Sequence, residues 1–141
     1  MEDWRKKAME MFPELLSTIE ESNGPGALWI ELYYELVKAY DDQPLNDIGI
    51  RKIYDYADWC LVQPQSDDMD LDDVSSSAAV GFVENLPLDK RISADLHRWM
   101  SAETFLGYEN LFRYHLSEDE FKRFSAEFLR RRKLFIETPG G

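Results

Sequence analysis

Carboxylates are the side chains of this sequence best suited to chemistry, and five of them are crowded into one run of seven residues. A buried carboxylate without a partner is strongly disfavoured unless it takes up a proton, so such a run cannot pack into a dry interior. We therefore predict a loop over residues 64–73 that is solvated, metal-bound or available to a basic partner. The acids of this acidic docking loop are Asp67, Asp68, Asp70, Asp72 and Asp73.

Calcium is the metal that this spacing suggests, because Asp68, Asp70 and Asp72 alternate like the first three ligands of a calcium-binding loop. The sixth position of such a loop requires glycine and is Asp73 here. The twelfth position requires a bidentate glutamate and is Ala79 here. We therefore predict no metal site, and a solvated loop and a docking loop for a basic partner both stay open.

Two predicted helical segments carry further pairs of acids beside aromatic rings. If the two pairs faced each other across a groove, ion pairs and cation–π contacts would attract the Lys or Arg side chains of a partner. The alternative is an ordinary solvent face on which neighbouring helices cover the aromatic rings. The partner-binding hypothesis rests on Glu31, Tyr34 and Glu35 in the first segment and on Asp55, Tyr56, Asp58 and Trp59 in the second.

Nucleophiles and general bases are scarce. The single cysteine, Cys60, lies between Trp59 and Leu61, which is typical of a buried structural thiol. His97 and His115 each stand among aromatic residues, which favours structural or surface roles. Nucleotide-binding, zinc-protease and serine-hydrolase motifs do not occur in the sequence. We predict no catalytic residue and no cofactor, with a small hydrolase built on carboxylates and histidine, or a metal-binding protein, as the alternative.

Net charge restricts the class of partner. The chain has 28 acidic and 16 basic residues, a formal charge of −12, and residues 101–141 hold seven of each, so the whole excess lies in the first hundred residues. Such a field repels nucleic acid and anionic membranes and attracts basic proteins. No segment approaches the roughly 18 apolar residues of a membrane span. We expect a cytoplasmic protein that binds neither nucleic acid nor membrane.

Apolar residues recur with helical spacing throughout, which predicts an all-α fold in one domain over residues 1–141. About seven helices are expected, as an irregular bundle or a short stack of helical pairs. Residues 27–40 are apolar around most of the helix, with Ile30 and Tyr34 widening the stripe, so this helix is predicted to be central.

Capping residues set the predicted helix boundaries. Asp72 or Asp73 is placed to cap a helix that begins at Val74, and Ser117 with Glu120 matches a capping box. A flexible tail is expected over residues 135–141. The predicted helices cover residues 1–22 with an interruption at Pro13, 27–40, 46–62, 74–86, a short segment around 94–99, 101–115 and a last one that follows Ser117.

Two resemblances add to this interpretation. The segment DDV at residues 72–74, followed by SAAVGFVENL at 77–86, resembles the second helix of a HEAT or armadillo repeat, in which small residues let neighbouring helices approach closely. The blocks ALWIEL at 27–32, IYDYADWC at 53–60 and FRYHLS at 112–117 resemble a family of small acidic bacterial proteins of unknown function. That second resemblance implies no established activity.

We interpret the sequence as a non-enzymatic acidic module that captures a basic protein. An immunity protein or antitoxin that masks the basic active-site cleft of a nuclease toxin is its most concrete version, by analogy of charge alone. A structural domain that forms a homo-oligomer is a further alternative, which would leave a large apolar face uncovered in the monomer.

Overall fold

The computed structural model describes residues 1–65 and 73–138 of the chain. These residues are 76% helical and include no strand, which confirms the predicted all-α fold. Short 3₁₀ turns at Pro13–Leu15, Val83–Asn85 and Leu96–Arg98 separate some of the helices. The α-helices of the described ranges are α1 (Asp3–Met11), α2 (Leu16–Glu21), α3 (Pro25–Ala39), α4 (Asp47–Leu61), α5 (Val74–Gly81), α6 (Lys90–Asp95), α7 (Ala102–Gly107), α8 (Glu109–Arg113) and α9 (Glu118–Glu137).

Two of the predicted helices are each divided in two. Pro13 cannot donate a backbone hydrogen bond, so the first predicted segment becomes α1 and α2 on either side of a 3₁₀ turn. The predicted helix of residues 101–115 is interrupted at Tyr108, which separates α7 from α8. Across residues 1–65 and 73–138, no helix is both long and apolar enough to cross a lipid bilayer.

The sequence predicted one helical domain over residues 1–141, and within it the chain packs as two compact units, Met1–Phe82 and Val83–Gly141. We call these unit 1 and unit 2. Unit 1 has 18 acidic and 6 basic residues in its sequence, a net charge of −12, whereas unit 2 has ten of each. The whole net charge of the protein therefore belongs to unit 1.

Unit 1 is built around α3, which packs against α4 and α5. The buried ring of Trp29 stacks on Tyr56 with centroids 5.5 Å apart, and its centroid lies 5.0 Å from that of Phe82. A Cβ atom on Gly81 would lie only 2.8 Å from the Cβ of Trp29. Glycine at the end of α5 therefore permits the close approach of α5 to α3.

Arg5 closes the C-terminal end of α2, where helical carbonyl groups lack partners within the helix. Its guanidinium donates to the carbonyl oxygens of Ile19 at 2.5 Å and Ser22 at 3.0 Å. The same group lies 4.5 Å from the centroid of the Trp4 ring, in a cation–π contact. One side chain of α1 thus fixes the position of α2.

The core of unit 2 is made of phenylalanine rings from α7, α8 and α9. Phe105 and Phe128 stack with their centroids 3.9 Å apart and their planes within 5° of parallel. Phe112 and Phe124 extend this cluster, each with its ring centroid within 5.3 Å of that of Phe105. Aromatic residues at helical spacing in α9 therefore bury one face of that helix.

The predicted caps are confirmed where the structure describes them. The Asp73 carboxylate accepts a hydrogen bond from the backbone amide of Ser76 at 2.7 Å and caps α5. Ser117 and Glu120 exchange the two hydrogen bonds of a capping box at the start of α9. Asp72, the other predicted cap of α5, lies outside the described residues.

The tail predicted over residues 135–141 is wrong in its first part, because α9 continues to Glu137. Tertiary contacts hold this last turn and a half in place. The ring of Phe135 meets His97 edge-on at 5.7 Å, and the Arg132 guanidinium donates to the carbonyl oxygen of His97 at 2.8 Å. The rest of the predicted tail, residues 139–141, lies outside the described residues.

Candidate functional site

One side of α3 is apolar but not buried. Ile30 is 70% exposed and Tyr34 is 61% exposed, and the partly exposed Tyr33 and Val37 lie on the same side at helical spacing. These four residues form what we call the α3 outer face, and together with Glu31 they line an open depression of about 500 Å³. Ile30 and Tyr34, which the sequence predicts to widen the apolar stripe of this helix, extend it onto the exposed side.

The buried side of α3 explains this arrangement. Leu28, Trp29, Leu32 and Leu36 are fully buried, and they occupy the side of the helix that packs against its neighbours. A helix of fifteen residues that is covered on one side leaves the opposite side to solvent. An exposed apolar patch of this kind commonly marks an interaction site.

One acidic side chain, that of Glu31, borders the α3 outer face. Glu31 is exposed and lines both the apolar depression and a neighbouring polar depression of about 300 Å³ that includes Glu21. Glu35 is half-buried and pairs with the Lys38 ammonium at 3.5 Å. That ammonium also lies 5.7 Å from the centroid of the Tyr34 ring. Lys38, one turn along the same helix, therefore already brings a positive charge to the Tyr34 ring.

The acids of α4 do not face Glu35. A cavity of about 160 Å³ includes Glu35 together with Gly49 and Lys52 of α4, and Lys52 pairs with Glu14 at 3.6 Å. Neither Asp55 nor Asp58 lines this cavity or the two depressions beside Glu31. None of these three hollows is therefore the predicted groove with all four acids.

Asp55 and Asp58 are exposed on α4 instead. Partial burial raises the pKa of the Asp58 carboxyl, and the negative charge of Asp55 raises it further. A cation near this pair would relieve the repulsion between the two carboxylates. The pair therefore extends the acidic surface of unit 1, but it does not belong to the α3 outer face.

The prediction that Tyr56 contacts a partner is wrong, because its side chain is buried. Its hydroxyl donates to the carbonyl oxygen of Trp4 at 2.9 Å, and its ring stacks against Trp29 and also against Trp59 at 6.0 Å. Trp59 itself is half-buried. The alternative interpretation, in which neighbouring helices cover the aromatic rings of α4, holds for Tyr56.

Of the predicted loop over residues 64–73, the structure describes residues 64, 65 and 73, and Asp73 serves as the cap of α5. Asp67, Asp68, Asp70 and Asp72 lie outside the described residues. In the described part of the chain, no three His, Cys, Asp or Glu side chains come together in a way that could hold a metal ion.

Cys60 is fully buried in unit 1. Burial raises the pKa of its thiol to about 12, and hydrogen bonding with Tyr56 and Trp29 offsets only part of that rise. A thiol with such a pKa carries almost no thiolate at neutral pH. Cys60 therefore has the structural role that the sequence indicates.

Sequence reasoning missed one charged residue, Glu84. It is 7% exposed. Among the residues that the structure describes, it is the one charged residue that is buried. Its carboxylate lies 3.4 Å from Nε2 of His115. A signal was present in the sequence, because Glu84 occupies an interior position between Val83 and Leu86, both of which are buried.

Comparison with known proteins finds no match: no family model, no curated protein and no solved structure matches this chain. The two resemblances drawn from sequence blocks stay predictions. The function is therefore inferred from the geometry and charge of the two units.

Proposed function

We propose that the protein is a non-enzymatic binding module whose unit 1 captures a basic protein on the α3 outer face. One observation carries this proposal: the exposed apolar side chains Ile30 and Tyr34 stand beside Glu31 in the unit that has a net charge of −12. An immunity protein or antitoxin that blocks a basic nuclease remains the most concrete version of this role.

Apolar and acidic residues would contribute to binding in different ways. Burying an exposed Ile or Tyr side chain contributes about 1.5–3 kcal/mol, so Ile30 and Tyr34 would supply affinity at the centre of the contact. Glu31 and the net negative charge of unit 1 would mainly raise the association rate and disfavour acidic partners, and salt would screen that effect. A partner with basic residues around an apolar patch satisfies both requirements.

The alternative is a hydrolase built on carboxylates and His97 or His115. His115 lies 3.4 Å from the carboxylate of Glu84, which is buried. We favour the binding role because it uses the exposed apolar side chains of α3.

A binding experiment with matched variants tests the proposal. The purified protein, immobilised, is incubated with native lysate, and the retained proteins are identified at low and high salt. Ile30→Ser should reduce retention of the main basic protein about tenfold or more, since about 1.4 kcal/mol corresponds to a factor of ten. Ile48→Ser is the control, because Ile48 is similarly exposed but lies on α4.

Two results of this experiment would contradict the proposal. The first is an equal loss of retention for Ile30→Ser and Ile48→Ser. The second is a retained protein that is acidic, or whose binding is the same at low and high salt. Either result would remove the α3 outer face and its acidic border from the binding mechanism.

A further inference from the structure

The cavity of about 160 Å³ in unit 1 lies where the 3₁₀ turn Pro13–Leu15 meets α3 and α4. The proposed binding of a basic protein does not use this cavity. None of the four residues of the α3 outer face lines it, and neither does Glu31. The cavity is therefore a second candidate site in the same unit, on a different side of α3.

The floor of the cavity is apolar. Leu32 and Ala39 of α3, Ile53 of α4 and Phe12 at the end of α1 all line it, and all four are buried. A polar group placed against these side chains would lose its hydrogen bonds to water and find no new ones. The floor therefore suits a hydrocarbon group.

The polar residues of the lining are more exposed and surround the mouth. Glu14 pairs with the Lys52 ammonium at 3.6 Å, and Asn46 caps α4 by accepting a hydrogen bond from the backbone amide of Gly49 at 3.0 Å. Glu35 is the fourth polar residue of the lining. The mouth thus has two carboxylates and one ammonium, a balance that favours a positively charged group.

Glu35 is the carboxylate better placed to receive that group. Its side chain is 35% exposed, against 56% for Glu14, so water screens its charge less. Its present partner Lys38 is 53% exposed and does not line the cavity. The pair between Glu14 and Lys52, in contrast, is formed by two lining residues and is already neutral.

The volume of the cavity limits the size of a ligand. An engineered apolar cavity of about 150 Å³ in another protein binds benzene. A cavity of about 160 Å³ therefore has room for one six-membered ring. A polar group attached to that ring would be placed at the mouth.

We infer that this cavity binds a small organic cation, with one hydrocarbon ring on the apolar floor and one ammonium group paired with Glu35. Burial of the ring supplies affinity, because it removes apolar surface from water. The ammonium group supplies selectivity, because a half-buried carboxylate pairs with a cation and disfavours a neutral or anionic molecule of the same shape.

Titration of the full chain, followed by two-dimensional NMR, tests the site with benzylamine as the probe. Benzyl alcohol and benzoate have the same ring with a neutral or a negative group. Benzylamine should bind with a Kd of about 1 mM or below, which is within reach of a ligand of its size. It should bind about tenfold or more tightly than the other two compounds, and the largest shifts should belong to the residues of the lining.

Two variants test the ring and the charge separately. Ala39→Leu fills part of the floor and should weaken benzylamine binding about tenfold or more, whereas Ala126→Leu, at an exposed alanine of α9, should bind like the parent protein. Glu35→Gln should reduce the preference for benzylamine over benzyl alcohol to less than about twofold. Glu31→Gln is its control and should retain the preference, because Glu31 does not line the cavity.

The site is overturned if benzylamine does not bind at about 10 mM, if benzyl alcohol binds as tightly, or if Glu35→Gln keeps the full preference. Glu35 is half-exposed, so Glu35→Gln should fold even if Ala39→Leu does not. A lysine blocked at both ends of its backbone is a further probe. If it binds as tightly as benzylamine, the occupant is a lysine side chain of a protein and the assignment of a small molecule is wrong. The proposed function of the α3 outer face does not depend on these results.

Discussion

The hydroxyl of Tyr56 donates a hydrogen bond to the carbonyl oxygen of Trp4 at 2.9 Å, across 52 residues of the chain. This bond joins α4 to α1 inside unit 1. It also explains why an aromatic residue between two exposed acids is not available to a partner. The polar end of the ring is satisfied internally, and the apolar part is stacked between Trp29 and Trp59.

Loss of that hydroxyl should destabilise unit 1. Tyr56→Phe leaves the buried carbonyl of Trp4 without its donor, which should lower the free energy of unfolding by about 1–3 kcal/mol. Urea denaturation measures the change. Tyr114→Phe, at an exposed position, should stay within about 0.5 kcal/mol of the parent protein. Equal stability of the two variants would show that the hydrogen bond contributes nothing.

The glycines of α5 and α7 should respond to alanine in opposite directions. Gly81→Ala places a Cβ 2.8 Å from the Cβ of Trp29, so we expect a loss of about 1–3 kcal/mol from overpacking. At Gly107 no atom outside the chain neighbours and the adjoining helix backbone lies within 4 Å of the added Cβ. Gly107→Ala should therefore gain about 0.4–1 kcal/mol by reducing the entropy of the unfolded chain. Thermal denaturation distinguishes the two signs, and a stabilising Gly81→Ala would contradict the close approach of α5 to α3.

Arg5 should be the most important charged residue of α1 for stability. Arg5→Ala removes the donors to Ile19 and Ser22, and hydrogen bonds that involve a charged group contribute about 1.5–3 kcal/mol. The exposed Lys6→Ala is the matched control and should change little. The melting temperatures of the two variants give the comparison. If both fall by the same amount, net charge rather than the contact with α2 is responsible.

The two sides of α3 should differ sharply in their effect on folding. Leu32→Ala empties a fully buried position and should cost about 2–5 kcal/mol. Ile30→Ser changes an exposed residue and should stay within about 0.5 kcal/mol. Denaturation curves of both variants test the assignment of the outer face. A large loss for Ile30→Ser would mean that this residue is part of a core.

Local sequence signals were sufficient for the fold class and for the helix caps. The caps Asp73 and Ser117 depend on residues within three positions along the chain, so the sequence alone contains the information. The extent of α9 was harder to predict, because the turn that includes Phe135 is held by contacts with His97, 38 residues earlier.

The candidate site needed the three-dimensional structure. Residues 27–40 are apolar on almost every side, so periodicity could not show that neighbours cover Leu32 and leave Ile30 exposed. Pairing between distant residues was equally hidden, since His115 follows Glu84 by 31 residues. Glu31 and Tyr34 are exposed and Glu35 is half-buried, but spacing along one helix could not orient Asp55 and Asp58 relative to them.

Site-specific photo-crosslinking shows directly whether a basic protein binds the α3 outer face. A photoreactive phenylalanine analogue replaces Tyr34 in one variant and Tyr114, an equally exposed tyrosine of unit 2, in the other. Both variants are irradiated in cells that produce the protein naturally, and crosslinked products are identified by mass spectrometry.

We expect one main crosslinked protein at position 34, and this protein should have a net positive charge. It should be missing at position 114 and should be lost when Ile30→Ser is added. Crosslinking of the same proteins at both positions, or of an acidic protein at position 34 that persists with Ile30→Ser, would contradict the proposal that the α3 outer face captures a basic partner.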